Sequence, residues 1–178
     1  MPRKLSTKEI LEENLSQSPP KKLSEVKVVL HNIRSLHNVG SMFRSSDAFG
    51  ISELLLSGYT PHPPRPEITK TAIGAEEFVS WSGYSNPIEM INALKADGYT
   101  LIGMEQTSNS IPLPELDAKS FERICIVMGN EITGIDDDIM PHIDAFISIP
   151  QYGNKHSLNV SVAAGVMLYA LLEKLWEK

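Results

Sequence analysis

Between Val160 and Leu172 the chain carries no charged residue; the first is Glu173. A helix over this run is apolar on nearly every face, so it has to be covered on more than one side, by its own sheet and by a second subunit. Its shortness, and the interruptions at Asn159, Ser161 and Gly165, argue against a membrane span. Upstream, Ala145 to Ile149 reads as a strand that Pro150 ends, because proline has no N–H for a sheet ladder. A polar, glycine-containing loop follows, and Ser157 or Asn159 is the expected cap of the helix. An irregular loop with Lys155, His156, Ser157 and Asn159 is thus held between a sheet and a buried helix, where a rigid site belongs. An ordinary strand–loop–helix connection has the same outline.

The rest of the chain alternates in the same way. Strands are expected over Val26–His31, Ser52–Ser57, Val79–Trp81, Thr100–Met104 and Ile124–Met128. Helices are expected over Val39–Phe49, closed by Gly50, over Thr69–Glu76 and over Asn86–Ala96, with a helical turn at Asp136–Met140. Gly58 to Pro66 is too rich in proline for either and reads as an extended surface loop. Strands alternating with helices imply an α/β fold, with a mostly parallel sheet, helices on both faces, and ligand-binding loops at the carboxyl ends of the strands. Residues 1–25 read as a polar arm, with a capping box at Ser6 to Glu9, a short helix through Leu15 and a tether from Ser16 to Lys22. Residues 26–178 are expected to be one domain, since 178 residues support a single core.

Bulk composition narrows the function. The net charge of −6 argues against a simple nucleic-acid binder, whose affinity comes from neutralising phosphates. That excess sits in one segment, however: Glu115 to Asp144 holds eight acids and two bases, and the remainder is balanced. His31, His37, His62 and His156 lie in or near the candidate loops with Arg34, Arg44, Arg65, Lys70 and Lys155, so a local basic patch that a dimer doubles leaves RNA open. A single cysteine excludes an internal disulfide and fits a reducing compartment. With no apolar run after the early lysines, neither a signal peptide nor an anchor is expected, and the cytoplasm is the expected location.

Three stretches carry the chemistry: Asn32-Ile33-Arg34-Ser35-Leu36-His37-Asn38-Val39-Gly40-Ser41-Met42-Phe43-Arg44-Ser45, Ile126-Val127-Met128-Gly129-Asn130-Glu131-Ile132-Thr133-Gly134-Ile135, and Ile149 to Val166. In that order they resemble the three signature motifs of the SpoU/TrmH family of RNA 2′-O-ribose methyltransferases, in the knotted SPOUT class. The resemblance runs from about Val26 to the C-terminus. It implies a deep trefoil knot made by the C-terminal segment, which pattern reasoning alone argues against because knots are essentially absent from proteins. It also implies a homodimer whose sites need both subunits, and transfer of a methyl group from S-adenosyl-L-methionine to a ribose 2′-hydroxyl.

What the resemblance implies for individual residues is as follows. Arg44 acts at the reacting centre, where two roles stay open: a base, or a clamp on phosphate that stabilises the developing alkoxide. Because arginine resists deprotonation, the second is the better chemistry. Asn38, Ser157 and Asn159 position ribose, phosphate or the loops, and Glu131 either braces its loop or takes part in catalysis. Gly129, Ile149 and Leu158 are expected around the cofactor, Gly129 by letting a ligand approach the backbone, with the segment Met104-Glu105-Gln106-Thr107, Met104 and Glu105 first, near the adenosine. Arg34, His37, Arg65, Lys155 and His156 are candidates for RNA phosphates. No ligand cluster has metal spacing, so no metal is expected.

Cys125 lies in the apolar run Ile124-Cys125-Ile126-Val127, which fits a small buried side chain and disfavours covalent base methylation. Neither a Gly-x-Ser-x-Gly elbow nor a Gly-x-Gly-x-x-Gly fingerprint occurs. The rival readings are a non-catalytic RNA-binding relative of the same fold and an unrelated α/β enzyme that uses a nucleotide cofactor. Without a separate RNA-binding domain, tRNA is favoured over ribosomal RNA.

Overall fold

The computed structural model describes residues 2–176. Its elements in chain order are α1 (Thr7–Leu15), β1 (Lys27–His31), α2 (Leu36–Phe49), β2 (Glu53–Ser57), α3 (Pro66–Ala72), β3 (Ser80–Tyr84), α4 (Pro87–Ala96), β4 (Tyr99–Met104), β5 (Ile111–Pro112), β6 (Arg123–Met128), β7 (Ala145–Ser148) and α5 (Val160–Leu175). The strands form one sheet in the order β3-β2-β1-β6-β4-β7-β5, and every pairing is parallel.

Alternate residues of each central strand feed two cores. Val28, Leu30, Leu54, Leu56 and Ile126 face α2, α3 and α5, meeting Met42, Phe43, Ile68, Met167 and Leu171. Val29, Leu55, Leu101, Cys125 and Val127 face α4, meeting Met90, Ile91 and Leu94. Helices therefore cover both faces. Cys125 is fully buried, and desolvation drives its thiol pKa far up.

Small residues set the helix spacing. A β-carbon on Gly40 of α2 would overlap the Thr71 hydroxyl and the Ile68 carbonyl of α3, so only glycine permits this crossing. Helices α2 and α5 run side by side: Ser45 lies against Gly165, and the rings of Phe49 and Tyr169 meet edge-on at 6.3 Å.

Several expected boundaries move, each for a physical reason. Helix α2 begins at Leu36 rather than Val39, because Ser35 caps it by accepting the Asn38 N–H. Helix α3 spans Pro66–Ala72 in place of Thr69–Glu76: Pro66 opens it at N1, a position proline favours, and Ile73 at φ 53 ends it. Strand β3 runs Ser80–Tyr84, past the expected Trp81. The two-residue β5 and its pairing with β7 had no signal in the sequence. Asn159, not Ser157, caps α5, accepting from the N–H groups of Ser161 and Val162. In the arm, Ser6 and Glu9 form the expected capping box, and α1 buries none of its side chains. The tether closes on the body sooner than expected: Leu23 and Val26 are fully buried, and the Lys22 ammonium donates to the Lys119 carbonyl at 2.9 Å.

Candidate active site

At the carboxyl ends of β4, β6 and β7 the sheet opens into a cleft of about 600 Å³. Met104, Glu105 and Gln106 line it from β4, Met128 to Ile132 and Gly134 from β6, and Ile147 to Ile149 from β7. His156 to Val160, leading into α5, close the remaining side. The Gln106 side-chain amide donates to the His156 carbonyl at 2.8 Å, tying the loop after β7 to the end of β4.

Residues 130–134 form a tight turn in which Asn130 and Gly134 exchange backbone hydrogen bonds at 2.9 and 3.0 Å. Gly129 has a structural task in this turn. A β-carbon there would collide with the backbone of Gly134 and Ile135, so closure of the turn requires glycine, and the residue also lines the cleft. Gly134 sits at φ +72, and a β-carbon on it would overlap the Glu105 carboxylate. Glu105 accepts the N–H groups of Gln106 at 2.9 Å and Ile135 at 3.2 Å, so its carboxylate braces the cleft wall.

One polar network joins the three motif stretches. Glu131 accepts the backbone N–H groups of Arg34 at 2.9 Å and Ser35 at 3.0 Å, and the Asn38 side-chain amide at 2.9 Å. Asn38 Oδ1 accepts in turn from the Asn159 side-chain amide at 3.0 Å. Asn159 Oδ1 takes the Ser161 hydroxyl at 2.6 Å as well as the two capping N–H groups. Burial opposes the charge on Glu131, but the three donations outweigh it and hold its pKa below the ordinary carboxylate value.

A second network lies under the first. Buried His31 pairs through Nε2 with the Asp136 carboxylate at 3.0 Å and through Nδ1 with the Ser57 hydroxyl at 3.1 Å. The Asn32 amide donates to the same Asp136 oxygen at 2.8 Å, and Asn32 takes the left-handed conformation at φ 54. Asn130 donates to the Asn32 carbonyl at 2.7 Å and to the Tyr59 hydroxyl at 2.9 Å, while its Oδ1 accepts the N–H groups of Ile132 and Thr133. Asn32, Tyr59, Asn130 and Asp136 gain no individual role from the sequence alone, although Asn32 and Asn130 stand within the motif stretches; Gln106 belongs to the segment expected near the adenosine.

Gly129, Met104, Glu105, Ile149, Leu158, Ser157, Glu131, Asn159 and His156 all line the cleft. Asn38 reaches it through Glu131 and Asn159. Arg44 does not: it is exposed on α2, about 9 Å along the helix from Asn38 at 1.5 Å per residue. Among the described residues its guanidinium has no hydrogen-bond or ion-pair partner. Arg34, His37 and Lys155 are exposed around the rim, and exposed Arg65 precedes α3 on the neighbouring loop. Among the described residues, no group of three His, Cys, Asp or Glu side chains could hold a metal ion.

Comparisons with known proteins bear on the same residues. A model of the SpoU rRNA Methylase family matches residues 25–169. A tRNA (guanosine(18)-2′-O)-methyltransferase of Borreliella burgdorferi is 28% identical over 148 residues, 83% of this chain and 66% of that protein. One from Aquifex aeolicus is 29% identical over 159 residues, 89% of this chain and 74% of that protein. Among solved structures, an AdoMet-bound rRNA methyltransferase from Sinorhizobium meliloti superposes with a TM-score of 0.81 at 28% identity, covering 90% of this chain and 60% of that one. The A. aeolicus TrmH/SpoU tRNA modifying enzyme gives 0.76 at 26%, covering 87% and 77%. The chain thus spans about two thirds of the length of the relatives it matches.

Proposed function

Because the chain belongs to the SpoU rRNA methylase family, we propose that it transfers a methyl group from S-adenosyl-L-methionine to a ribose 2′-hydroxyl of RNA, with tRNA favoured over ribosomal RNA. The observation that carries this reading is the Glu131–Asn38–Asn159 chain, which fastens the three motif loops around one cleft. The tRNA methyltransferase relatives support the choice of tRNA.

The cleft suits the cofactor. Its volume of about 600 Å³ falls in the usual range for small-molecule sites. Met104, Ile149 and Leu158 offer apolar walls, the strand end at Gly129 offers backbone, and the Glu131 carboxylate offers negative charge to a sulfonium. When bound, S-adenosyl-L-methionine supplies an electrophilic methyl group. The chain's own residues hold and activate the hydroxyl: Asn38, Ser157 and Asn159 position the ribose and its phosphate, and Glu131 keeps Asn38 in place. Arg44 clamps phosphate and stabilises the developing alkoxide through its guanidinium. Arg34, His37, Lys155 and His156 meet RNA phosphates at the rim.

Two observations support a homodimer completed across its interface. Val162, Val166 and Tyr169 are exposed on α5 at 51%, 38% and 58%, an apolar stripe at helical spacing. Arg44 lies outside the lining of its own cleft, which a partner's cleft would remedy. A C-terminal trefoil knot is supported by the sheet order, in which β6 enters between β1 and β4, and β7 lies beyond β4 before α5 returns to α2. A cytoplasmic location fits an RNA substrate, and among the described residues no helix is long and apolar enough to cross a membrane.

The test is transfer of labelled methyl into bulk tRNA and, separately, ribosomal RNA, by wild type and Arg44→Ala, with digestion of the product to nucleosides. A 2′-O-methylnucleoside made by wild type and lost in the variant is expected. Label on a base, or no label in either RNA, would overturn the reading.

A further inference from the structure

Beside the cleft, the loop leaving β2 encloses a groove of about 560 Å³ lined by residues 58–65, including Tyr59, Thr60, His62, Pro64 and Arg65. Tyr59 is 61% exposed, yet both ends of the residue are fastened. Its hydroxyl receives the Asn130 amide at 2.9 Å, and its N–H donates to Asn32 Oδ1 at 3.1 Å. An aromatic ring so placed needs no ordering when a flat partner arrives. Proline fixes the backbone at 61, 63 and 64, so the groove is equally preformed. His62 is stacked on Trp81, with ring centroids 5.5 Å apart and an interplanar angle of 20°. Arg65 adds positive charge, its guanidinium has no partner among the described residues, and no acidic side chain lines the groove. Asn130, which holds the Tyr59 hydroxyl, also lines the cleft, so groove and cleft are one side chain apart.

We propose that this groove is a nucleotide subsite for the RNA, in which a base flanking the methylated residue stacks on Tyr59 and its phosphate is held by Arg65. The inference rests on the reading of this protein as one that acts on RNA. Recognition of unpaired RNA works through such parts: bases splayed onto aromatic planes, and arginine on the backbone. The stacking is tolerant of sequence, so the subsite strengthens binding of any RNA with an unpaired nucleotide beside the target.

The test titrates wild type, Tyr59→Ala, Tyr59→Phe and Arg65→Gln with fluorescently labelled unfractionated tRNA and with total ribosomal RNA, across a salt series. S-adenosylmethionine affinity is measured on the same samples by calorimetry. Tyr59→Ala is expected to weaken RNA binding by about fivefold to a hundredfold, the effect of one lost stacked base. Tyr59→Phe, which keeps the ring, should stay within about threefold. Arg65→Gln should reduce the log–log salt slope by about one, which a folding defect does not do. Should Tyr59→Ala lose the cofactor as well, the salt slope of the exposed Arg65 variant decides. Unchanged RNA binding in both Tyr59→Ala and Arg65→Gln, or a wild type that binds neither RNA, would overturn the subsite. A wild type that binds RNA through Tyr59 but takes up no S-adenosylmethionine would overturn the reading of the cleft and leave the subsite standing.

Discussion

The sheet carries a half-buried carboxylate at each end, and the two are held by opposite means. At the amino end, Glu53 of β2 pairs with the Lys27 ammonium at 2.8 Å and accepts from the Ser82 hydroxyl. Around them, Arg123 lies 4.3 Å from the centre of the Tyr99 ring, and Lys27 lies 5.2 Å from it. At the carboxyl end, Glu131 is held by two backbone N–H groups and one amide, with no cation paired to it among the described residues. Burial works against both charges, and both carboxyls still titrate below the ordinary value, Glu53 through Lys27 and Ser82, Glu131 through neutral donors. The difference is in what remains. The amino-end charge is cancelled on the spot, which suits a structural clamp. The carboxyl-end charge is stabilised but not cancelled, so the cleft keeps a net negative group for a cationic ligand.

The largest expected effect separates the two in catalysis. Glu131→Gln should lower methyl transfer about a hundredfold, the scale of a mispositioned reacting group, whereas Glu53→Gln should leave it within about twofold of wild type. Equal losses in the two variants, assayed at matched folded fraction, would erase the distinction. Next in size is stability. Glu53→Gln strands the Lys27 ammonium and should lower unfolding free energy by about 1–3 kcal/mol, readable as a shifted urea midpoint. An unmoved midpoint would class this pair with surface ion pairs that contribute nothing.

A smaller effect follows from pH. A carboxyl depressed in the folded state stabilises above its unfolded pKa of about 4.3, and that contribution is lost as pH falls through the folded value. Wild-type stability should therefore fall from about pH 5 downward, and Glu131→Gln and Glu53→Gln should each flatten the fall. Urea midpoints taken along an acid series check this; a variant as steep as wild type would remove its carboxyl from the account. The smallest effect sharpens the contrast. Salt at about 1 M shortens the screening length to about 3 Å, which should weaken the Lys27–Glu53 pair and hardly touch Glu131. A double-mutant cycle of Lys27 and Glu53 at two salt concentrations would measure it.

The parts of this design legible in the sequence were those written locally. Apolar runs such as Leu54 to Leu56 and Ile124 to Val127 marked buried strands, and the polar loops after them marked the edge where the cleft opens. For Glu131 the sequence alone does not separate bracing from catalysis, and its partners explain why: Arg34, Ser35 and Asn38 lie 97, 96 and 93 residues away. Periodicity has no access to such pairs. The same holds for His31 and Asp136, 105 residues apart. The start of α3 is hidden for a different reason, because Pro66 closes a proline-rich loop and opens a helix at once. For Gly129 the sequence offers the approach of a ligand as a reason for glycine, and the close backbone of Gly134 and Ile135 adds a second that only the fold reveals.

Cys125 is the chain's single cysteine, enclosed in β6 with its thiol far from ionised at neutral pH. Reagents that attack thiolates find neither the ionised form nor a path to it. The wild-type protein should therefore stay silent to maleimides, and a cysteine introduced on the surface would be its one reactive handle. Lys155→Cys would put a fluorophore on the exposed loop beside the cleft, so that occupation of the cleft could be followed in solution by the colour of a single label.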